Sequence, residues 1–379
     1  MKVRVVSAAD LSADLLAVWN GILRRDENLA SPYFTPGYFA AAAATRPGVR
    51  VGVLEDGGEP FGFMPFERTR FGIGQPVGGR LSDFQAVIAA GRDDWCAKDL
   101  IAGCGLRMWR FDHLLCEQPQ FASFHDSTCG SPALDLRGGF GSYHARRRDA
   151  GSTHIEGVKR KTRMLARQGN ISFEFDARDP QVLEQVIHWK RHQCRRTGVV
   201  DFFAERRNVD LVHTILDTRT EDFAGVLSVL RVGRRLAAAH FGMRTRRTLH
   251  YWFPVYESDL SRCSPGAVLL IELARAAAER GMHTLDLGRG DDEYKRHFAT
   301  HRTPIAEGSV VVSPALAVLR RWHRSGMAFL RSSRVTAPLR EPLRALRHRL
   351  RRHRIPKTLG PMAPAAPRTP ARFGGSVTP

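Results

Sequence analysis

The residues best placed to do chemistry begin a long apolar helix. Ser264-Pro265-Gly266 starts a helical run that ends at Gly281. Serine suits the N-cap and proline the first helical position, so we predict that the helix begins here. The first turn of a helix leaves N–H groups without partners and carries a partial positive charge, which favours an anion such as phosphate. We therefore predict that Ser264, Gly266 and Ala267 bind a ligand that carries phosphate. Gly266 lets such a ligand approach the backbone because it has no Cβ.

Three residues are candidates for proton transfer and charge stabilisation. Asp286 ends a short strand and His240 lies in an apolar strand, so either side chain is a candidate general base. Lys295 lies beside Tyr294 and Phe298, which share a helix face and fix the direction of the lysine. Its ammonium would neutralise a phosphate or a developing oxyanion. Each residue also has a purely structural explanation. Asp286 would bond the amides of a turn, His240 would pack in the core and Lys295 would be a solvated surface lysine.

Residues near these groups are candidates for binding the substrate. We assign substrate contacts to Tyr251, Tyr294 and Arg289. Tyr251 lies in a strand, where either it or its neighbour faces the cleft. Lys190, on a different helix, is explained by packing of its neighbours and a solvated ammonium.

The composition excludes several classes of protein. The 379 residues are 43% hydrophobic, which is ordinary for a soluble globular protein of one large domain or two. No run approaches the roughly 20 apolar residues of a membrane span, and no long apolar stretch follows Met1. We expect a cytoplasmic protein. There is no P-loop, no His-Glu-x-x-His and no Gly-x-Ser-x-Gly motif.

The cysteines indicate neither disulfides nor a metal. Six are scattered through the chain without a Cys-x-x-Cys pair, which favours free thiols. The most cysteine-rich region fits no zinc-binding spacing, and we expect no metal; its candidate ligands are Cys104, Cys116, His125 and Cys129.

The positive charge lies mainly at one end of the chain. The net charge is +20, and residues 320–379 hold fourteen Arg and one Lys against one acid, which leaves +6 for residues 1–319. A basic amphipathic helix near residues 339–350 precedes a stretch rich in Pro, Ala and Gly that we expect to be disordered. This tail predicts contact with an anionic membrane face, with nucleic acid as a less favoured partner and an inert tail as the remaining alternative.

The order of predicted elements repeats. Each half has helices followed by a hairpin, at residues 51–66 in the first half and 226–243 in the second, and then a helix and strands. A polar, basic stretch at residues 137–152 predicts a linker. We therefore predict a mixed α/β protein with an N-terminal domain at residues 1–145, a C-terminal domain at 146–313 and a tail at 314–379.

The ordered set of motifs resembles a known group. It comprises Ser264-Pro265-Gly266, Asp286-Leu287-Gly288-Arg289-Gly290, Tyr294-Lys295-x-x-Phe298 and the hairpin before them, with weaker matches at Trp19, Ser31-Pro32-Tyr33-Phe34 and residues 62–65. Over roughly residues 10–312 the chain resembles GNAT-fold acyltransferases of the cellulose-biosynthesis (CelD-like) type, which are related to Fem-type aminoacyltransferases.

The resemblance implies two tandem GNAT-like domains, each with a mostly antiparallel mixed sheet flanked by helices. It also implies direct transfer of an acyl group from acyl-CoA to an amine or hydroxyl. Ser-Pro-Gly replaces the usual Arg/Gln-x-x-Gly-x-Gly/Ala signature, so aminoacyl-tRNA remains an alternative donor. We expect a sugar or envelope-polysaccharide precursor as acceptor; a non-catalytic envelope-assembly or polyanion-binding protein is the alternative of another class.

Overall fold

One mixed β-sheet runs through the protein in the computed structural model, which describes residues 1–92, 94–290 and 292–316. The strands are β1 Lys2–Val6, β2 Val49–Asp56, β3 Glu59–Arg68, β4 Ile73–Gln75, β5 Ile88–Ala89, β6 Met108–Leu115, β7 His125–Asp135, β8 Ile171–Glu174, β9 Ala224–Val232, β10 Arg235–Arg244, β11 Thr248–Tyr256, β12 Thr284–Asp286 and β13 His301–Val311. The helices are α1 Ala13–Arg25, α2 Pro36–Thr45, α3 Ala97–Gly103, α4 Gly139–Asp149, α5 His154–Ala166, α6 Pro180–Thr197, α7 Arg206–Asp217, α8 Pro265–Glu279 and α9 Glu293–Phe298.

The sheet is mostly antiparallel. Among the strands described, the only parallel pairs are β4 with β6 and β11 with β12. The strand order is β1-β2-β3-β4-β6-β13-β7-β12-β11-β10-β9-β8, with β5 paired to β3. This confirms the predicted mixed α/β class with a mostly antiparallel sheet flanked by helices.

The two halves of the chain build similar halves of the sheet. Two helices separate β1 from β2, and two helices separate β8 from β9, before a hairpin in each case. Read inward from the two edges of the sheet, β1-β2-β3-β4-β6 corresponds to β8-β9-β10-β11-β12. α2 packs against α7 where the halves meet. This arrangement is what duplication of one α/β unit would produce.

The last strand of each half pairs with the other half. β7 lies beside β12, with Leu134 opposite Leu285, whereas β13 lies beside β6, with Ile305 opposite Leu115. β7 and β13 also pair with each other. The exchange joins the halves into one sheet, although the domain boundary predicted at residues 145 and 146 falls after β7.

Hydrophobic cores cover both faces of the sheet. One core lies under α1, α2, α6 and α7 and runs across both halves, including Trp19 and Phe223. A second core lies under α4, α5 and α8, and a third, in the first half, lies under α3. Because the first core crosses between the halves, it fixes the relative position of residues from both at the candidate site.

The prediction of a linker at residues 137–152 is wrong, because most of this stretch is helical. Residues 139–149 form α4, whose Tyr143 is fully buried and donates a hydrogen bond to the carbonyl of Phe298 (2.9 Å). Polar and basic residues cover the exposed surface of α4, which is why the stretch looked like a linker. The predicted basic helix near residues 339–350 and the rest of the tail lie outside the described residues.

In the part of the chain that the structure describes, no helix combines the length and apolar character needed to span a membrane. The six cysteines are free thiols, as expected.

Candidate active site

The start of α8 has an unusual backbone. Ser264 adopts a left-handed conformation (φ 48°) and is the only non-glycine residue with positive φ among those described. Ser264 occupies the N-cap position, as predicted, although its hydroxyl makes no capping bond. Such a conformation costs of order 1–2 kcal/mol and is found more often at functional sites. Pro265 follows at the first helical position, as predicted.

The first turn of α8 leaves an amide available. The N–H groups of Ala267 and Val268 donate to the carbonyl of Ser264 (3.0 and 3.2 Å). Gly266 N–H has no acceptor among the described residues. A Cβ at Gly266 would lie 3.5 Å from the Tyr256 ring, so the position has room for a methyl group. This geometry is compatible with the anion that the sequence predicts at Gly266, and anion binding there stays a prediction.

The neighbouring strand has a free edge. β11 pairs with β12 only from Thr248 to His250, because β12 ends at Asp286. On that side, residues 251–256 of β11 have no partner strand among those described, although β10 continues to pair on the other side. Unpaired backbone groups along this edge can bond an extended ligand that carries amides.

A cavity of about 180 Å³ lies along this free edge. Its walls come from α6, from the end of β11, from the start of α8 and from α9. The lining residues are Trp189, His192, Gln193, Arg196, Thr197, Tyr251, Pro254, Val255, Tyr256, Glu257, Ser258, Gly266, Ala267, Leu270, Tyr294 and Phe298. The cavity therefore contains four of the sequence-predicted site residues: Tyr251, Gly266, Ala267 and Tyr294. Ser264 adjoins it through Pro265.

Two tyrosines give the cavity polar groups in an apolar wall. The hydroxyl of Tyr294 is buried and has no hydrogen-bond partner among the described residues. Burial raises the pKa of Tyr294 well above its usual value, so the hydroxyl stays protonated and can donate to a ligand. Burial also raises the pKa of Tyr251.

His240 lies behind Tyr251 rather than in the cavity wall. The two rings stack with centroids 4.6 Å apart, and His240 is fully buried. Burial lowers the pKa of His240 to about 3, which leaves the imidazole neutral and weakly basic at neutral pH. This environment argues against His240 as the general base.

A buried hydrogen-bonded group lies where β11 and β12 still pair. His250 Nδ1 is 3.1 Å from Asp286 Oδ1, and His250 Nε2 is 3.1 Å from Asp83 Oδ2. Asp286 also accepts bonds from Ser131 Oγ (3.2 Å) and from the N–H of Gly288 (2.7 Å). Asp83 comes from the first half of the chain, so both halves contribute to this group.

The two carboxylates keep His250 charged. Burial by itself lowers the pKa of His250, but the bonds to Asp286 and Asp83 outweigh it and raise the value to about 9. Burial raises the pKa of Asp83, and the bond from His250 reverses that effect and leaves it lowered. At neutral pH the group is therefore an imidazolium between two carboxylates.

Lys295 is buried and directed at the backbone. Its Nζ donates to the carbonyls of Gly288 (3.0 Å) and Arg289 (2.9 Å), and lies 3.6 Å from Asp292 Oδ2. Burial lowers the pKa of Lys295. These contacts hold the segment after β12 in place. Arg289 in turn donates to the carbonyl of Asp112 in the first half (2.9 Å). Neither residue lines the cavity.

Lys190 differs from the sequence prediction. We predicted a solvated lysine, but the residue is buried (7% exposed) and has no hydrogen-bond or ion-pair partner among the described residues. It follows Trp189 of the cavity wall on α6 but does not itself line the cavity, and it is electrostatically coupled to Cys194, Lys295, Asp292 and Asp83. Burial lowers the pKa of Lys190 to about 8.

Sequence reasoning missed Asp83, His250 and Lys190. Asp83 follows a loop far from the other residues in sequence, and no motif joins it to them. His250 immediately precedes the candidate Tyr251, and β11 is buried along almost its whole length, so no alternation distinguishes His250 from its neighbours. Among the described residues no cluster of three or more His, Cys, Asp or Glu side chains is suited to a metal ion.

Comparison with known proteins agrees with this architecture. Residues 152–296 match the family described as acetyltransferase (GNAT) domain. The crystal structure of FemX is 9% identical, with a TM-score of 0.55, and the match covers 84% of this chain and 99% of FemX. At that identity the likeness shows a common fold.

A second solved structure is a tandem GNAT protein from the clavulanic acid biosynthesis pathway. It is 10% identical, with a TM-score of 0.48, over 83% of this chain and 99% of that protein. No curated protein sequence matches the chain. The family match covers β8 to α9, the elements that surround the cavity. Residues 152–296 therefore match the GNAT acetyltransferase domain, and this match supports an acyltransferase.

Proposed function

We propose that the protein transfers an acyl group from acyl-CoA to an amine or hydroxyl of a sugar or envelope-polysaccharide precursor. The observation that carries the proposal is a single cavity that meets both the start of α8 and the free edge of β11. One ligand lying there can place a phosphate at Gly266 and amides along residues 251–256. Coenzyme A has both groups in one chain, and acyl-CoA would supply the acyl thioester.

The residues around the cavity would hold the donor in an extended form. Gly266 N–H and the positive end of α8 bind phosphate oxygen. The backbone of β11 pairs with amides, as an added strand would. The hydroxyl of Tyr294, which lacks a partner in the described structure, donates to an oxygen or sulfur of the ligand.

Lys190 is the residue we assign as proton acceptor. A general base works best when its pKa lies near the working pH, and burial brings that of Lys190 to about 8. In its neutral form the amine takes the proton that the acceptor loses on attack. The acceptor's nitrogen or oxygen forms the new bond to the acyl carbon, the carbon–sulfur bond breaks, and the sulfur leaves as a thiolate that accepts a hydrogen bond from Tyr294, while the proton remains on Lys190.

His250 and Lys295 act as positioning residues in this proposal. The imidazolium of His250 ties Asp83 to Asp286 and so holds the loop of the first half against β12. Lys295 fixes the backbone at Gly288 and Arg289, beside the same group.

Aminoacyl-tRNA is the second candidate donor, because α4 and α5 form a basic surface. Residues 137–167 hold seven Arg and two Lys against two acids, which is more net charge than residues 1–319 carry in total. Arg160, Arg163 and Arg167 are exposed and have no carboxylate partner in the described structure. α5 also contacts the 3-10 helix Ser258–Cys263 that leads into α8, so this surface borders the cavity. Phosphates of RNA would bind such a surface in a salt-dependent way.

Titration calorimetry with acetyl-CoA, longer acyl-CoAs and charged tRNA tests the proposal. We expect an acyl-CoA to bind and charged tRNA to compete weakly or not at all. Binding of tRNA without binding of any acyl-CoA would favour the second donor. If the folded protein binds neither, the proposed function is wrong and a non-catalytic role in envelope assembly becomes the better explanation.

A further inference from the structure

A single aromatic side chain projects from the turn between β3 and β4. Phe71 is 77% exposed, while the other exposed large apolar side chains described are Met1 (47%) and Val5 (40%). Isolated exposed apolar residues are common and need no explanation by themselves. The surroundings of Phe71 are what distinguish it.

The turn that carries Phe71 is well ordered. Gly72 N–H donates to the carbonyl of Thr69 (3.1 Å), and Thr69 N–H donates to that of Ile73 (2.9 Å). Gly72 has a positive φ of 68°, a conformation that glycine adopts at little cost. The tight turn therefore holds the Phe71 ring out from the surface.

Three arginines lie in or beside the turn that carries Phe71. Arg68, Arg70 and Arg107 are exposed, and none has a carboxylate within ion-pair distance in the described part of the chain. Arg107 adjoins the turn directly, because its N–H donates to the carbonyl of Gly72 (2.8 Å). An exposed aromatic ring within unpaired arginines is the composition of a surface that contacts anionic lipid.

The last described residues of the chain lie near the same turn. The N–H groups of Val312 and Ser313 both donate to the carbonyl of Arg107 (3.0 Å each). In the sequence, residues 320–379 carry a net charge of +14.

We propose that the turn at Thr69–Gly72 is a membrane-contact site, in which Phe71 enters the interface of an anionic bilayer and Arg68, Arg70 and Arg107 contact lipid phosphates. Nucleic acid is the other polyanion that binds arginines and aromatic rings. Single-stranded nucleic acid, however, is bound in grooves where successive bases stack on several aromatics. Phe71 is the one exposed aromatic among the large apolar side chains described, and it lies on a protruding turn.

Fluorescence of a Phe71→Trp variant of the full chain tests insertion directly. With vesicles of phosphatidylglycerol and phosphatidylcholine, we expect a blue shift relative to wild type and quenching by brominated acyl chains. Pure phosphatidylcholine should give a much smaller response, because the arginines lack their anionic partner. Val5→Trp, at another exposed apolar position, is the control and should show neither effect. Absence of both signals at position 71 would overturn the proposal.

Vesicle co-sedimentation separates this site from general attraction by the tail. We expect Phe71→Ala to weaken binding roughly tenfold, since an exposed ring would no longer leave water. Arg70→Gln should weaken it about fivefold, and Arg160→Gln, an equal charge change on α5, much less. Equal effects of the two arginine changes would contradict the proposal. So would a Phe71→Ala variant that binds vesicles normally but loses affinity for single-stranded RNA.

Discussion

Asp83 Oδ2 lies 3.1 Å from His250 Nε2, so a carboxylate of the first half of the chain completes a buried group in the second half. Asp83 and His250 are 3% and 0% exposed. The strand exchange of β7 and β13 fixes the two halves in the arrangement that makes this contact. The first half is therefore part of the candidate site as well as its support.

Removing the charge of Asp83 tests how far the first half of the chain stabilises the buried group around His250. We expect Asp83→Asn to lower the free energy of unfolding by about 3 kcal/mol, because a buried imidazolium loses one of its two anionic partners. The pKa of His250 should fall from about 9, measurable by NMR of the ring protons. Asp56→Asn, at an exposed carboxylate, is the control. An unchanged His250 pKa would contradict the proposed pairing.

Stability should fall as the pH rises through the titration of His250. The folded pKa is raised to about 9 from 6.5, so the contribution of the charged ring is complete below pH 6.5 and lost by about pH 9. The loss is of order 3 kcal/mol at most. Chemical denaturation of wild type and His250→Gln at several pH values measures it, and the variant should show a flatter profile between pH 6.5 and 8.

Lys190 should contribute to stability with the opposite sign. Its folded pKa is lowered to about 8 from 10.5, so the folded state disfavours the charged amine and stability from this group rises between those values. We expect Lys190→Met to be neutral or stabilising at pH 7, because it removes a buried cation without a partner in the described structure. Lys159→Met, at an exposed lysine, is the control.

The same variant tests the role of Lys190 as proton acceptor. With acetyl-CoA as donor and amino sugars as acceptors, kcat/KM of the wild type should rise with pH through about 8, as the amine becomes neutral. In Lys190→Met that rise should disappear, with acetyl-CoA affinity retained. An equal pH profile in both proteins would mean that another group accepts the proton.

Gly266→Asp separates helix stability from ligand binding. A carboxylate in the first turn of α8 favours the helix dipole, so the fold should be retained. The same charge repels phosphate, and we expect acetyl-CoA affinity to fall roughly tenfold or more. Gly266→Ala, whose methyl group has room beside Tyr256, should bind nearly normally. Equal affinity in the two variants would place the phosphate elsewhere.

Ser264→Gly should relieve the left-handed backbone at the start of α8. We expect an increase in the free energy of unfolding of about 1 kcal/mol, because glycine adopts φ 48° without a steric penalty. If the strained conformation positions the site, acetyl-CoA binding should weaken even though the protein becomes more stable. Thermal unfolding and calorimetry on the same samples measure both effects.

The sequence by itself determined the elements whose signals are local. Pro265 and the apolar run after it predict α8, and the Gly57-Gly58 turn predicts the hairpin of β2 and β3. The start of α8, with Gly266 and Ala267, lines the cavity, and ligand binding there stays a prediction that rests on the known chemistry of helix starts. These features depend on neighbours within a few residues.

Tertiary structure alone decided which side chains meet. Lys190 looks solvated in sequence, but the packing of α6 buries it. Asp83 meets His250 across 167 residues of chain, and β7 pairs with β12 over about as long a separation. Such contacts depend on how the two halves exchange strands. No local sequence pattern indicates that exchange, because the hydrophobic pattern of each half would be the same if its last strand paired within its own half.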